Sequence, residues 1–186
     1  MRAEGAPTIV GRDRELAVLD SAFVRLTTGI GGAIVIEGEA GIGKSALLAH
    51  AIRSAVDAGA DVRRAGGDEW AQRRPFGIVQ ALFGSDTDQG AAPGELGGSP
   101  RFAVQEAVID AVERLATRRP VVLAIDDLQW VDPPSSAVLA ALCRRTADLA
   151  LLLDAATRPH PAPATFADLT AADPVDTVVL HPLDPA

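Results

Sequence analysis

The sequence predicts an α/β domain: a mostly parallel sheet with helices on both faces. Three observations predict it. Short apolar runs such as Val121–Ile125 and Leu149–Leu153 alternate with longer stretches of helical period. The runs are near-continuously apolar, as strands buried on both faces must be, and fall far short of the roughly 20 residues that cross a bilayer. The chain has 186 residues, 48% of them apolar, enough for one domain with its own core.

The elements follow in order. Residues 14–28 place Leu16, Leu19, Phe23 and Leu26 on one helical face. Ala33–Glu37, set between Gly31-Gly32 and Gly38, reads as a strand. Residues 44–58 carry Leu47, Leu48, Ala51, Ile52, Ala55 and Val56 at helical spacing, and Gly59 stops them. Asp61–Ala65 is a weak strand signal, and Phe76–Phe83 a short helix. Residues 85–100 combine Gly, Pro, Asp and Ser without apolar period and read as a flexible loop. Ser99-Pro100 then suits the start of a helix through Val104, Val108, Ala111, Val112 and Leu115, which ends at Arg118-Arg119-Pro120. Val121–Ile125 is the next strand, Asp132-Pro133 caps another helix, and Leu149–Ala155 is a further strand. Beyond Pro159 the chain turns irregular and Pro-rich before a last strand, Asp176–Leu180.

Composition narrows the function. Seventeen Lys plus Arg against twenty-five Asp plus Glu leave a net charge of −8, which argues against nucleic-acid or anionic-membrane binding by bulk charge. One cysteine, Cys143, forbids an internal disulfide and suits a reducing cytoplasm, and three scattered histidines supply no zinc set. Met1–Pro7 lacks the apolar stretch of a signal peptide. Of the seventeen basic residues only one is Lys, at position 44.

That lysine stands in Gly38-Glu39-Ala40-Gly41-Ile42-Gly43-Lys44-Ser45, followed by Ala46, which matches the phosphate-binding pattern G-x-x-x-x-G-K-[ST] between a strand and a helix. Glycines there let backbone N–H groups curl around a polyphosphate at the positive end of the helix. Lys44 neutralises phosphate charge, and the Ser45 hydroxyl is a ligand for Mg²⁺. Asp126 and Asp127 end the Val121–Ile125 strand. Asp126 fits the Mg²⁺ shell, and Asp127, one residue on, suits orienting or deprotonating a water. The plainer alternative is an ordinary strand-to-turn Asp pair.

VGRDREL (Val10–Leu16), GEAGIGKS (Gly38–Ser45), PFG (Pro75–Gly77), IDDLQWVDPPS (Ile125–Ser135) and ATRP (Ala156–Pro159) occur in that order. Together they resemble the ATPase domain of the large ATP-binding LuxR-type transcription regulators, members of the STAND class related to AAA+ proteins. The resemblance runs from about Ile9 to Leu183. It implies a three-layer α/β/α sandwich on a five-stranded P-loop NTPase sheet. The strand before Lys44 then lies between 149–155 and 176–180, with 121–126 beyond 149–155 and 61–65 at the edge. It implies ATP or ADP with Mg²⁺ as ligands. Hydrolysis is expected to be slow or absent, because Asp127 is one methylene shorter than the Glu that many AAA-type ATPases place there and no lid closes the site. Val10, Gly11 and Arg12 resemble the segment against the adenine, although Arg12-Asp13 also reads as a plain helix start. Arg158 resembles the sensor arginine approaching the γ-phosphate, the alternative being a solvated Arg before Pro159. Asp127, Lys44 and Arg158 are thus the catalytic candidates.

Trp130 matches the extension of the acidic pair but suits packing better than ligand contact, and Ser135 and Ser136 suit capping only. Gln129 stands where the family usually has His, and Val131 where it usually has Ala. Asp154 interrupts LLLDAA. A buried carboxylate there needs a partner or a place at the polar end of the sheet. Such regulators continue into a lid, a winged-helix segment, a sensor region and a helix-turn-helix. The expectation is therefore a fragment of a longer cytoplasmic regulator, with residues 1–186 as its ATPase core. It would bind no DNA itself and meet other proteins, or its own copies, through regions outside this chain. The alternatives are a nucleotide- or partner-binding module without turnover and, less well matched, a small-molecule kinase.

Overall fold

The computed structural model describes residues 9–84, 100–159 and 175–183. Five helices and five strands are seen among them: α1 (Asp13–Thr27), β1 (Gly32–Glu37), α2 (Lys44–Asp57), β2 (Asp61–Gly66), α3 (Gly77–Phe83), α4 (Pro100–Ala116), β3 (Val121–Asp126), α5 (Pro133–Cys143), β4 (Leu151–Thr157) and β5 (Val175–Val179). Single 3₁₀ turns at Ala71–Arg73 and Leu128–Trp130 interrupt the connections. The strands pair in parallel in the order β2-β3-β4-β1-β5, the order the family resemblance implies.

The period of two along each strand builds three layers. Val121, Leu123 and Ile125 of β3 and Leu151, Leu153 and Ala155 of β4 face a core shared with α3, α4 and α5. Val122 and Leu152, with Ile34 and Ile36 of β1, face the other way, onto Leu19, Ala22 and Leu26 of α1 and Leu47, Ala51 and Ala55 of α2. Both faces are apolar, so β3 and β4 read as unbroken hydrophobic runs.

Three expectations need correction. The fourth strand begins at Leu151 rather than Leu149, because Leu149 and Ala150 close the turn after α5 and the Leu151 N–H bonds back to the Leu149 carbonyl at 2.7 Å. It runs on through Thr157, in register with β1 to Glu37. Asp154 neither meets a partner nor lies at the sheet's polar end. It sits mid-strand between Ile34 and Ala124, 1% exposed, with no hydrogen-bond partner for either oxygen among the described residues. Alternation turns it toward α2, where Ala124 and Ala156 pack on Leu48 and Ile52. Burial pushes its carboxyl up to about 7. The third correction, at Ser135, belongs with the site below. Residues 85–99, assigned to a loop ending in the Ser99 cap, and the Pro-rich stretch 160–174 lie outside the described residues. No helix among the described residues is long and apolar enough to cross a membrane.

Candidate functional site

The C-terminal ends of β1, β3 and β4 meet at one edge of the sheet, and the site grows from them. After Glu37 the chain turns through Gly38–Gly43 into α2 at Lys44. The Gly38 N–H bonds the Thr157 carbonyl at 3.2 Å and ties the base of the loop to the end of β4. Gly43, the residue before the helix, has φ 109°, a conformation that strains any side chain. The first turn of α2 therefore opens directly onto the loop. Its N–H groups at Lys44 and Ser45 belong to the set that a helix cannot satisfy internally. Lys44 is buried, and its ammonium donates to the Gly38 and Glu39 carbonyls, both at 2.8 Å. Glu39, Ala40 and Gly41 are exposed along the rim, while Ile42 and Ala46 are half-buried beneath it.

The Ser45 hydroxyl donates to Asp126 Oδ2 at 2.8 Å across 81 residues of sequence. The other oxygen, Oδ1, accepts the N–H of Asp127 at 3.0 Å. Asp127 then leaves the strand with φ 51° and ψ 49°, left-handed for a residue with a Cβ, and opens the turn Leu128–Trp130. That turn is pressed onto Gly67, where an added Cβ would lie 2.5 Å from the Asp127 carbonyl oxygen and 3.0 Å from Trp130 Cβ. Trp130 is accordingly a half-buried packing residue.

Gln129 closes the arrangement. Its Nε2 donates to Asp127 Oδ1 at 2.7 Å, and its Oε1 accepts from the Arg158 N–H at 3.2 Å and the Thr157 hydroxyl at 3.3 Å. The Arg158 side chain is half exposed, with Nε 3.9 Å from Asp127 Oδ1. Sequence reasoning noted Gln129 only as a departure and did not find Thr157 or Gly67. The available signals were a polar residue two places beyond the acidic pair and the Gly66-Gly67 pair at the end of the neighbouring strand.

The N-terminal segment reaches the same loop. Arg12 is buried, paired with Glu15 at 3.1 Å and donating to the Ile42 carbonyl at 3.3 Å, so its guanidinium is a strut under the phosphate loop. Gly11 packs beside Leu183, and Val10 is 73% exposed. Apolar surface at this end of the loop thus comes from Val10 rather than from Arg12.

Behind the acidic turn, Asp132 caps α5 by accepting the Ser135 N–H at 2.9 Å. It also accepts the N–H groups of Phe76 at 2.8 Å and Ile78 at 3.4 Å, which accounts for the PFG segment: Phe76 holds φ 60° at the start of α3. Ser135 does more than cap, which corrects the expectation. It is fully buried, and its hydroxyl accepts the Val79 N–H at 3.2 Å, because α3 packs against the start of α5. A cavity of about 480 Å³ opens nearby, beside Phe76 and Pro133, with no phosphate-loop residue in its wall. The loop itself is exposed at Glu39, Ala40, Gly41 and Gly43, and the Lys44 ammonium is seated on its carbonyls.

The donor set fits a polyphosphate with a hard cation. The Lys44 ammonium lies on the loop, the first turn of α2 leaves N–H groups that the helix does not use, and a hydroxyl and a carboxylate come within 2.8 Å of each other. Mg²⁺ takes such oxygens from one or two protein groups and completes its shell with water and phosphate. Ser45 and Asp126 are the residues that would hold it.

Known proteins place the chain. An uncharacterized protein of Rhizobium meliloti (strain 1021) is 25% identical over 223 residues, covering 97% of this chain but 21% of that protein. The ORC1 protein of Aeropyrum pernix, solved in complex with DNA, superimposes with a TM-score of 0.64 at 18% identity over 95% of this chain and 47% of its own. A STAND protein with a tetratricopeptide repeat sensor from Pyrococcus horikoshii gives 0.53 at 16% identity, over 96% of this chain and 24% of its own. The chain therefore spans about a fifth to a half of these relatives, and the two structures share its fold. Residues 8–157, which include the phosphate loop, the acidic pair and β4, match the AAA ATPase domain family, and the chain belongs to that family.

Proposed function

We propose that this chain is the nucleotide-dependent switch domain of a cytoplasmic transcription regulator, in which bound ATP holds one conformation and slow hydrolysis resets it. The observation that carries the nucleotide reading is the 2.8 Å contact of Ser45 with Asp126, which joins the phosphate loop to the end of β3. In this reading Gly38 to Ala46 wrap the phosphates, with Lys44 as their counter-charge. Val10 and Gly11 line the adenine side, and Arg12 supports the loop from below. Mg²⁺ at Ser45 and Asp126 supplies charge neutralisation to the phosphates. Asp127 orients an attacking water, and Arg158 faces the terminal phosphate. The regulator role rests on the five ordered motifs from Val10 to Pro159 and their likeness to LuxR-type regulators. DNA contact and assembly with other proteins would then belong to regions outside this segment, whose net charge is −8.

A second reading, nucleotide binding without turnover, is favoured by the 2.7 Å hydrogen bond that occupies one Asp127 oxygen. Calorimetry tests what both share. Wild type should bind Mg·ATP or Mg·ADP, and Lys44→Ala should lose most of that affinity. Equal binding by the two proteins overturns the reading. Phosphate release then separates the switch from the non-hydrolysing module.

A further inference from the structure

Gln129 spans the gap between the two chain segments that carry Asp127 and Arg158. Its amide has one workable orientation, because the Asp127 carboxylate accepts only and the Arg158 N–H donates only. The Thr157 hydroxyl adds a third bond on the acceptor side. The Thr157 carbonyl in turn receives the N–H of Gly38, where the phosphate loop begins. A continuous series of hydrogen bonds therefore runs from Asp127 through Gln129 to the end of β4 and the base of the loop. The side chains of Asp127 and Arg158 are 41% and 50% exposed, and Arg158 Nε comes to 3.9 Å from the same Asp127 oxygen that Gln129 holds.

Exposed side chains lose conformational freedom when a ligand orders them, and a group that holds them beforehand removes that cost. In the nucleotide reading proposed above, the phosphate loop wraps the phosphates as a whole, whereas Asp127 and Arg158 meet the terminal one. We infer that Gln129 is a positioning residue that joins Asp127 and Arg158 into one unit responding to the terminal phosphate of the nucleotide. This rests on the nucleotide reading above. The tie sets the preference for a triphosphate over a diphosphate and leaves diphosphate affinity alone.

The test is calorimetry on the full chain with Mg·ADP and with the Mg complex of a non-hydrolysable ATP analogue. Gln129→Leu removes both ends of the tie. Gln129→Glu keeps the acceptor for Arg158 but loses the donor and sets a like charge beside Asp127. Gln129→His keeps one donor and one acceptor on a neutral imidazole. The Leu and Glu variants should lose about tenfold in triphosphate preference, the worth of one hydrogen bond to a charged group. Their Mg·ADP affinity should stay within about twofold of wild type, and the His variant should restore most of the preference. Hydrogen exchange at the Arg158 amide should quicken in Gln129→Leu but not in Gln129→Glu, a pattern that general loosening of the fold does not give. An unchanged preference, or equal loss for both nucleotides, overturns the inference alone. Absence of nucleotide binding in wild type overturns the nucleotide reading and this inference with it.

Discussion

The carboxylate of Asp132 accepts the backbone N–H of Phe76, 56 residues earlier, at 2.8 Å. Asp132 also takes the N–H groups of Ile78 and Ser135, so one buried side chain caps the starts of α3 and α5 together. The segment leaving β2 is thereby locked to the segment leaving β3, directly behind the acidic turn.

Asp132→Ala should therefore cost about 3 kcal/mol or more, since buried backbone donors at both helix starts lose a charged acceptor. Asp132→Asn, which keeps one carbonyl acceptor, should lose less. Urea denaturation of the two variants checks the order. Equal, small losses would mean that water replaces the carboxylate without penalty.

Leu151 and Leu153 lie on β4, between β3 and β1, at 0% and 1% exposure. Either change to Ala should destabilise the fold by about 2–5 kcal/mol, by lost burial and the cavity left behind. Chemical denaturation yielding less than about half a kcal/mol for both would contradict a central position for this strand.

Asp154 makes stability depend on pH. Its carboxyl titrates at about 7 when folded, against an ordinary value of 3.8. Between these values the folded chain holds a proton that the unfolded chain has released. The contribution of Asp154 to stability is therefore greatest below about pH 4, falls as pH rises to about 7, and levels off above it. A shift of about three pH units corresponds to about 4 kcal/mol. Asp154→Val should remove this slope and raise stability most at pH 8. Urea midpoints of both proteins from pH 4 to 8 measure it, and parallel profiles would show that Asp154 is not the group responsible.

Asp126 and Asp127 should fail differently. Asp126 bonds Ser45, so Asp126→Asn should weaken Mg²⁺-dependent nucleotide binding along with any turnover. Asp127 bonds Gln129 and lies beside Arg158, so Asp127→Asn should leave Mg·ADP binding nearly intact and abolish remaining hydrolysis. Turnover in wild type is expected to be slow, because general-base help demands hydrogen-bond reach and the short Asp127 side chain is already engaged. Paired titration and phosphate-release assays decide, and the reverse pattern would exchange the two roles.

The sequence by itself determined the elements and the phosphate loop. Both are written in short-range chemistry: apolar runs of strand length, apolar faces at helical spacing, and a Gly-Lys-Ser turn between a strand and a helix. Strand order was legible only through likeness to a family, since periodicity tells which residues are buried but not which strands are neighbours. Tertiary structure alone decided the rest. Gln129 meets Arg158 across 29 residues, Asp132 meets Phe76 across 56, and Arg12 reaches the Ile42 carbonyl across 30. No local rule pairs such groups, because each contact exists only once the sheet has brought distant strand ends together. Asp154 shows the converse. A carboxylate in an apolar run signals a partner on average chemistry, yet the register places it between Ile34 and Ala124, facing a helix that offers it no donor. Burial is a property of the whole packed fold, and it reverses what the local sequence leads one to expect of that side chain.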